Sequence, residues 1–488
     1  MRSMRSISHT SRLVHIVGII LILAAMLATP PGTLLAAPGA DSGDTGVAPG
    51  AAAATGQPPQ RIYLPIVLRD HPGKPSVFGV QMYGPLNSPK AALVLAQHAG
   101  IAWVRWPTSW ADIEPRNTTP AGFNWTTLDA DLLAAARHGL KVILTIDGNP
   151  GWAATYGQAG IIDLAPLSEF VEFVRALVER YDGDGQNDAP GSPTVQHFEF
   201  YNEPDVYGVY RWGDNGDKYA EMLCAAYPAV KAASPRAKVL MGGIAYDYFT
   251  EEYGPFVREF LDRVLTAGGG RCMDYMVFHY YPWFGFRWEP YGPGISGKTE
   301  YLRGKLREHG VGHLPIMITE AGFFSNHNED WYVQPVNERL QSSYLVKFFT
   351  QAIASDVHSM TWWSWTDIYD FPDAYGLLTL DLQAKESYFA LSVAAKKLDA
   401  NNYVRRLTDS ELGATNIEAY LFAGAKPFYV AWTMDRAERQ IYLPGSLAEV
   451  RNLLDVSQGT ITDAGDGKAD GRLRLMVGPT PVYVEITQ

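Results

Sequence analysis

Eight short apolar runs rich in Val, Ile, Tyr and Phe recur between Val77 and Trp365. They are Val77–Tyr83, Ile101–Trp106, Lys141–Ile146, Val195–Tyr201, Val239–Ile244, Tyr275–Tyr281, Pro315–Glu320 and Ser359–Trp365. Each has the length and residue types of a buried strand, and a stretch of helical period follows it. Ser88-Pro89 opens the first helix in N-cap and N1 order, and Gly100 closes it. Further helices are predicted over Asp129–His138, Leu167–Tyr181, Lys218–Ala233, Pro255–Ala267, Thr299–His309, Asn337–Ser355 and Glu386–Leu398. Strands that alternate with helices pair in parallel through crossovers. An open doubly wound sheet would carry a Gly-rich phosphate loop after its first strand. The first run ends Gln81-Met82-Tyr83-Gly84-Pro85, which is no such loop. Eight units therefore predict a (β/α)8 TIM barrel over residues 76–400, with reactive groups at the C-terminal ends of the strands.

The pattern changes after residue 400. Ile417–Phe422, Phe428–Trp432, Gln440–Leu443, Arg472–Val477 and Val482–Ile486 alternate or are β-branched, with turn residues between them. They predict a small antiparallel, sandwich-like β-domain over residues 401–488. At the other end, Arg2, Arg5 and Arg12 precede an apolar run from Val14 to Ala28, with small residues through Leu35-Ala36-Ala37. This predicts a secretory signal peptide within residues 1–40 and an extracytoplasmic protein. The run is shorter than a membrane span of ~20 residues. An uncleaved anchor is the alternative, because Pro38 sits poorly after a cut at Ala37. Residues 41–75 read as an Ala/Gly/Pro-rich linker with a strand-like patch at Ile62–Arg69.

Composition narrows the partners. The net charge of −12 argues against nucleic acid and anionic lipid. With 13 Trp, 27 Tyr and 20 Phe, either the core or a cleft is rich in rings. Two cysteines exclude a disulfide scaffold and a Cys-based zinc cluster. Cys224 and Cys272 are expected as separate thiols, since no pattern brings them within bridging distance.

The strand-end rule selects two carboxylates. The fourth run ends Phe200-Tyr201-Asn202-Glu203-Pro204, where Pro204 cannot continue a ladder. The seventh ends Ile318-Thr319-Glu320-Ala321-Gly322. One such Glu is ordinarily a solvated rim residue. Two, across one barrel mouth, suit retaining glycosidic cleavage, in which one carboxylic acid protonates the leaving oxygen and a carboxylate ~5 Å away attacks the anomeric carbon. Two like charges at that spacing also resist ionising together.

At these two motifs the chain resembles the retaining (β/α)8 glycoside hydrolases of clan A, which include families 5 and 39. The resemblance covers about Val77 to Leu398. It implies Glu203 as general acid/base, Glu320 as nucleophile and Asn202 as a ligand of the sugar 2-hydroxyl. It also implies Arg105, in Val104-Arg105-Trp106, beside the nucleophile. From Phe278-His279-Tyr280-Tyr281 it implies His279 lining the site and Tyr281 donating to Glu320. From Trp362-Trp363-Ser364-Trp365 it implies a Trp under the central sugar. Alternation puts Trp363 and Trp365 on one face, with Trp363 favoured. Arg105 is expected to lower the pKa of Glu320 while Glu203 stays partly protonated. The implied substrate is an oligo- or polysaccharide, with no obligate protein partner and no required cofactor.

Two further signals stand apart. The stretch from Tyr280 to Tyr291 is ring-rich, and Trp283 and Trp288 are its candidates for sugar stacking, against mutual packing of the rings as the alternative. Asp182, Asp184 and Asp188 have the oxygen spacing of a structural calcium loop without the distal Glu of an EF-hand, and a solvated Asp/Gly turn is the plainer reading. A catalytically silent carbohydrate-binding barrel and a transglycosylase with the same residues are the rival functions.

Overall fold

The computed structural model describes residues 75–326, 336–369, 371 and 373–487. The expected signal peptide, the Ile62–Arg69 patch and all but the last residue of the expected linker lie outside the described residues. From Phe78 onward, strand and helix alternate as β1(Phe78–Gln81), α1(Leu93–His98), β2(Trp103–Ser109), α2(Thr126–Arg137), β3(Lys141–Asp147), α3(Leu167–Arg180), β4(His197–Asn202) and α4(Gly216–Ala233). The second half repeats this as β5(Lys238–Gly243), α5(Phe260–Thr266), β6(Met276–Tyr280), α6(Gly294–Glu308), β7(Ile316–Ala321), α7(Glu338–Ala354), β8(Val357–Trp362) and α8(Glu386–Asp399).

The strands pair in parallel in the order β5-β4-β3-β2-β1-β8-β7-β6. Parallel bridges Leu240↔Tyr275 and Ile244↔Phe278 join β5 to β6 and complete the circle. The fold is a (β/α)8 barrel. Strands buried on both faces need apolar residues at almost every position, which is why they read as runs rather than alternations. Inside the barrel, Trp103, Ile143, Leu240, Val277 and Met317 pack into a plug. Outside, α3 buries Phe170, Phe173, Val174, Leu177 and Val178, one stripe at helical spacing. Among the described residues no helix is long and apolar enough to cross a membrane.

Beyond α8 lie β9(Asn402–Arg406), β10(Ile417–Ala423), β11(Phe428–Thr433), β12(Arg439–Pro444), β13(Leu447–Arg451), β14(Ser457–Thr462), β15(Arg472–Val477) and β16(Val482–Ile486). Six form an antiparallel sheet, β14-β13-β16-β11-β10-β9, and β12 pairs with β15. Ile441, Leu443, Leu473, Leu475 and Val477 pack against Ile417, Ala419, Tyr429, Ala431 and Val484, which makes a small sandwich. The other face of the large sheet, with Tyr420, Phe422, Val430, Trp432 and Tyr483, belongs to the same continuous core as the barrel. Gln351 of α7 donates to buried Glu418 of β10 at 2.9 Å across that junction. Strands β9, β13 and β14 were not expected. β9 and β14 are mostly exposed and polar, so they carry little apolar pattern.

Cys224 and Cys272 correct the expectation of two separate thiols. They form a disulfide with the Cα atoms 5.0 Å apart. Cys224 lies in α4, and Cys272 ends the Gly269–Arg271 turn just before β6. Gly269 has room only for hydrogen, because a Cβ there would stand 2.8 Å from Val264 Cγ1 and 2.9 Å from the Val264 carbonyl, and 3.1 Å from Ala220 Cβ of α4. That close approach seats the turn on α4, and sequence spacing does not encode it. The bridge closes a loop with a sequence separation of 48 residues. Removing it by Cys224→Ala with Cys272→Ala is expected to cost about 2–4 kcal/mol, read as a lower urea midpoint.

Candidate active site

Glu203 and Glu320 stand at the C-terminal mouth of the barrel. The chain turns sharply as it leaves β4, with φ of 70° at Tyr201 and 43° at Glu203, a left-handed conformation that non-glycine residues adopt at a cost. The Glu203 N–H is held by the Gly243 carbonyl of β5 at 3.0 Å. Glu203 keeps 12% of its side chain exposed and Glu320 only 2%. One carboxylate oxygen of each, with one ring nitrogen of His279, lies within 4.8 Å of the others.

Their surroundings differ. Arg105, from the middle of β2, is buried and reaches four partners. Its Nε donates to Glu199 at 2.6 Å, Nη1 to Gln81 at 3.0 Å and Glu320 at 3.2 Å, and Nη2 to Asn202 at 2.7 Å. The Tyr281 hydroxyl donates to the other Glu320 oxygen at 2.5 Å. Glu203 touches neither Arg105 nor Tyr281. Its partner is His279 Nδ1 at 3.0 Å. Burial, with Asp247 nearby, pushes the Glu203 carboxyl up to about 8 against the pull of Arg105 and Lys298. The expectation of a lowered Glu320 needs correction. Burial raises its pKa, Glu203 adds to this, and His279, Arg105 and Tyr281 offset only part of the shift. Because Arg105 and Tyr281 bind Glu320 directly, Glu203 is the member of the pair that takes the shared proton.

The structure thus brings Arg105, Asn202, Glu203, His279, Tyr281 and Glu320 together. Trp363 joins them at the wall, edge-on to Tyr281 at 6.4 Å, with its Nε1 donating to the Tyr83 hydroxyl at 2.6 Å. Trp365 does not. Its indole turns outward, donates to the Ala91 carbonyl at 3.0 Å and packs on Tyr388 of α8. Alternation fails here because β8 ends at Trp362, so the strand period does not extend to Trp365. Trp288 is also misplaced as a sugar platform. It is 4% exposed, packed between Tyr246 and Tyr301 with the Lys298 ammonium 5.2 Å from its ring. Trp283 is half-buried and stacks on Phe324, just beyond β7, at 5.0 Å, and Phe284 stacks on Tyr248 at 5.5 Å, so these rings of the loop pack against neighbouring segments of the barrel mouth. Phe286 and Tyr291 are the rings the loop leaves open, 61% and 51% exposed.

Several site residues escaped the sequence reading. Tyr83, just beyond β1, is 38% exposed and places its hydroxyl, which accepts from Trp363, in the field of Glu320, Arg105 and Glu203. Glu199, Thr319, Asp247 and Lys298 are buried beneath or behind the pair. Glu199 and Lys298 carried a readable signal, a full charge inside an apolar strand and in the buried face of a helix. Such a charge needs a partner.

Asp182, Asp184 and Asp188 also come together, with one oxygen of each within 4.8 Å of the others. They lie on the α3–β4 connection, at the opposite end of the barrel. Their oxygens accept the amides of Asp184, Gln186 and Gly185, as in a self-closed Asp/Gly turn.

The fold is similar to that of solved glycoside hydrolases. A family 39 glycoside hydrolase from the gut symbiont Bacteroides cellulosilyticus superposes with a TM-score of 0.64 at 20% identity, over 85% of this chain and 81% of that one. What is shared is the fold. A monomeric β-xylosidase from Caulobacter crescentus gives 0.56 at 16% identity, covering 85% of this chain and 96% of that one. A GH30 endoxylanase from Clostridium papyrosolvens gives 0.54 at 13% identity, covering 84% and 96%. No family model and no curated protein matches the sequence.

Proposed function

We propose that this chain is an exported retaining glycoside hydrolase that cleaves a β-linked glycan by double displacement. Glu203 protonates the glycosidic oxygen while the Glu320 carboxylate attacks the anomeric carbon. Glu203, now ionised, then takes a proton from the water that releases the sugar from Glu320. One observation carries the reading. Oxygens of the two carboxylates lie within 4.8 Å, where an inverting pair needs about 6.5–9.5 Å between its carboxyl groups to admit water. Arg105 and Tyr281 hold Glu320 in place, and Asn202, fixed through its Oδ1, keeps its amide nitrogen for a sugar hydroxyl. The disulfide supports export, since such bonds persist in oxidising compartments.

The three similar structures include a β-xylosidase and an endoxylanase, so xylo-configured aryl glycosides head a panel that also holds gluco-, manno- and galacto-configured ones. Hydrolysis followed by NMR should yield first the anomer of the substrate. Inverted product would overturn the mechanism, binding without turnover would favour a silent barrel, and transfer to added sugar would mark a transglycosylase. The pH profile carries its own sign. Glu203 must hold its proton in the first step, and a carboxyl at about 8 loses it as pH rises. The rate on unactivated glycosides should therefore fall as pH climbs through about 8.

A further inference from the structure

Glu199 lies midway along β4 and is fully buried. Its Oε2 accepts from Arg105 Nε and Thr145 Oγ1, both at 2.6 Å, and its Oε1 from Gly243 N at 3.1 Å and Thr319 Oγ1 at 2.6 Å. Burial alone would raise this carboxyl, but Arg105, by charge and by hydrogen bond, holds it below the ordinary value. An ionised carboxylate can only accept. Thr319 must therefore direct its one hydroxyl proton at Glu199.

The consequence runs upward through the site. The Thr319 oxygen, its proton committed, faces His279 Nε2 at 3.2 Å as an acceptor. Nε2 then carries the ring proton. Burial pushes the imidazole down to about 4, so at neutral pH the ring is uncharged and its other nitrogen is bare. That bare Nδ1 meets Glu203 Oε1 at 3.0 Å. Two lone pairs there would repel, so the proton in this contact belongs to Glu203. The backbone leaves room for the arrangement. A Cβ at Gly243 would sit 2.2 Å from His279 Nε2 and 2.6 Å from Thr319 Oγ1.

We propose that Glu199 and Thr319 are positioning residues that lock His279 in its Nε2–H tautomer and thereby keep Glu203 in its proton-donating form. The catalytic use of that proton rests on the glycosidase reading above, whereas the tautomer does not.

Other groups also bear on Glu203. Arg105 from β2 and Lys298 from α6 favour its ionised form, and Asp247 from the loop after β5 opposes it. Asp205, two residues on, interacts with it while accepting the Ala245 and Tyr246 amides. Glu320 on β7 shares its field, as do the hydroxyls of Tyr281 and Tyr83. Lys298 also donates to the Ala245 and His279 carbonyls, tying the loop after β5 to β6. Thr319→Val removes none of these charges, so it isolates the tautomer.

The test uses the full chain with 15N-labelled histidine, His279 being assigned by difference against His279→Gln. The wild-type spectrum at neutral pH should show the Nε2–H tautomer. Thr319→Val should populate the Nδ1–H form, which donates to Glu203 and favours its ionised state. The alkaline limb of kcat/KM should then move down by about one pH unit. Thr319→Ser should restore both readouts. A wild-type Nδ1–H ring would overturn the proposal even if Thr319→Val fails to fold. So would a Thr319→Val protein with the tautomer or the limb unmoved. If no glycoside on the panel is hydrolysed, the glycosidase reading falls while the spectra still decide the tautomer.

Discussion

Replacing Glu320 by Gln is expected to lower turnover on the order of 10⁴-fold or more on every glycoside, whatever its leaving group. An amide of the same shape still fills the space beside Arg105 and Tyr281, but it offers no carboxylate to the anomeric carbon. Bond cleavage loses its nucleophile, and no substrate chemistry compensates for that. Substrate binding should survive, because the sugar contacts assigned to Asn202 and the aromatic wall are untouched. Rates on dinitrophenyl and alkyl glycosides, with KM or a measured Kd beside them, make the check. Substantial retained turnover on either substrate would remove Glu320 from the reaction.

Glu203→Gln should behave differently. Its proton is needed only where the departing oxygen is basic. A loss of roughly 10²–10⁴-fold is expected on alkyl or unactivated aryl glycosides. Dinitrophenyl glycosides should still be cleaved in the first step, because their leaving group departs as a stable anion. The second step still wants a base to activate water, so the glycosyl-enzyme should accumulate and give a burst before a slow steady state. The alkaline fall in rate should vanish from the burst phase, since the group that titrates is gone. Equal losses for both variants on both substrate types would overturn the division of roles.

The legible part of this molecule was its periodicity. All eight apolar runs overlap strands, because a barrel strand is buried on both faces and tolerates few polar residues. Glu203 and Glu320 stood out as a pair, because one charged residue closing such a run is ordinarily a solvated rim residue, whereas two at one barrel mouth are hard to explain that way. What stayed hidden depends on contacts that spacing does not encode. The Cys224–Cys272 bridge rests on a Gly-rich turn seating on α4. Trp365, the alternative to Trp363, and Trp288, a stacking candidate, turn away from the site, because strand alternation and loop composition do not say where a strand ends or which neighbouring rings a loop meets. The pKa of Glu320 was misjudged because an adjacent Arg is visible in sequence logic, whereas depth of burial is not. Glu199 was the avoidable omission. His197-Phe198-Glu199-Phe200 places a charge amid rings in a buried strand, and such a charge demands a cation.

The shared core between barrel and β-domain limits how this chain can be rearranged. Tyr420, Phe422, Trp432 and Tyr483 are buried in that core, and Glu418 is bonded to Gln351 of α7. A recombination event that moved the barrel alone would therefore carry away a wet apolar scar, and one that moved the sandwich alone would carry its mirror image. Moving the two parts together keeps that surface covered. In grafting or library work, exchange of the loops above the barrel mouth leaves this joint intact.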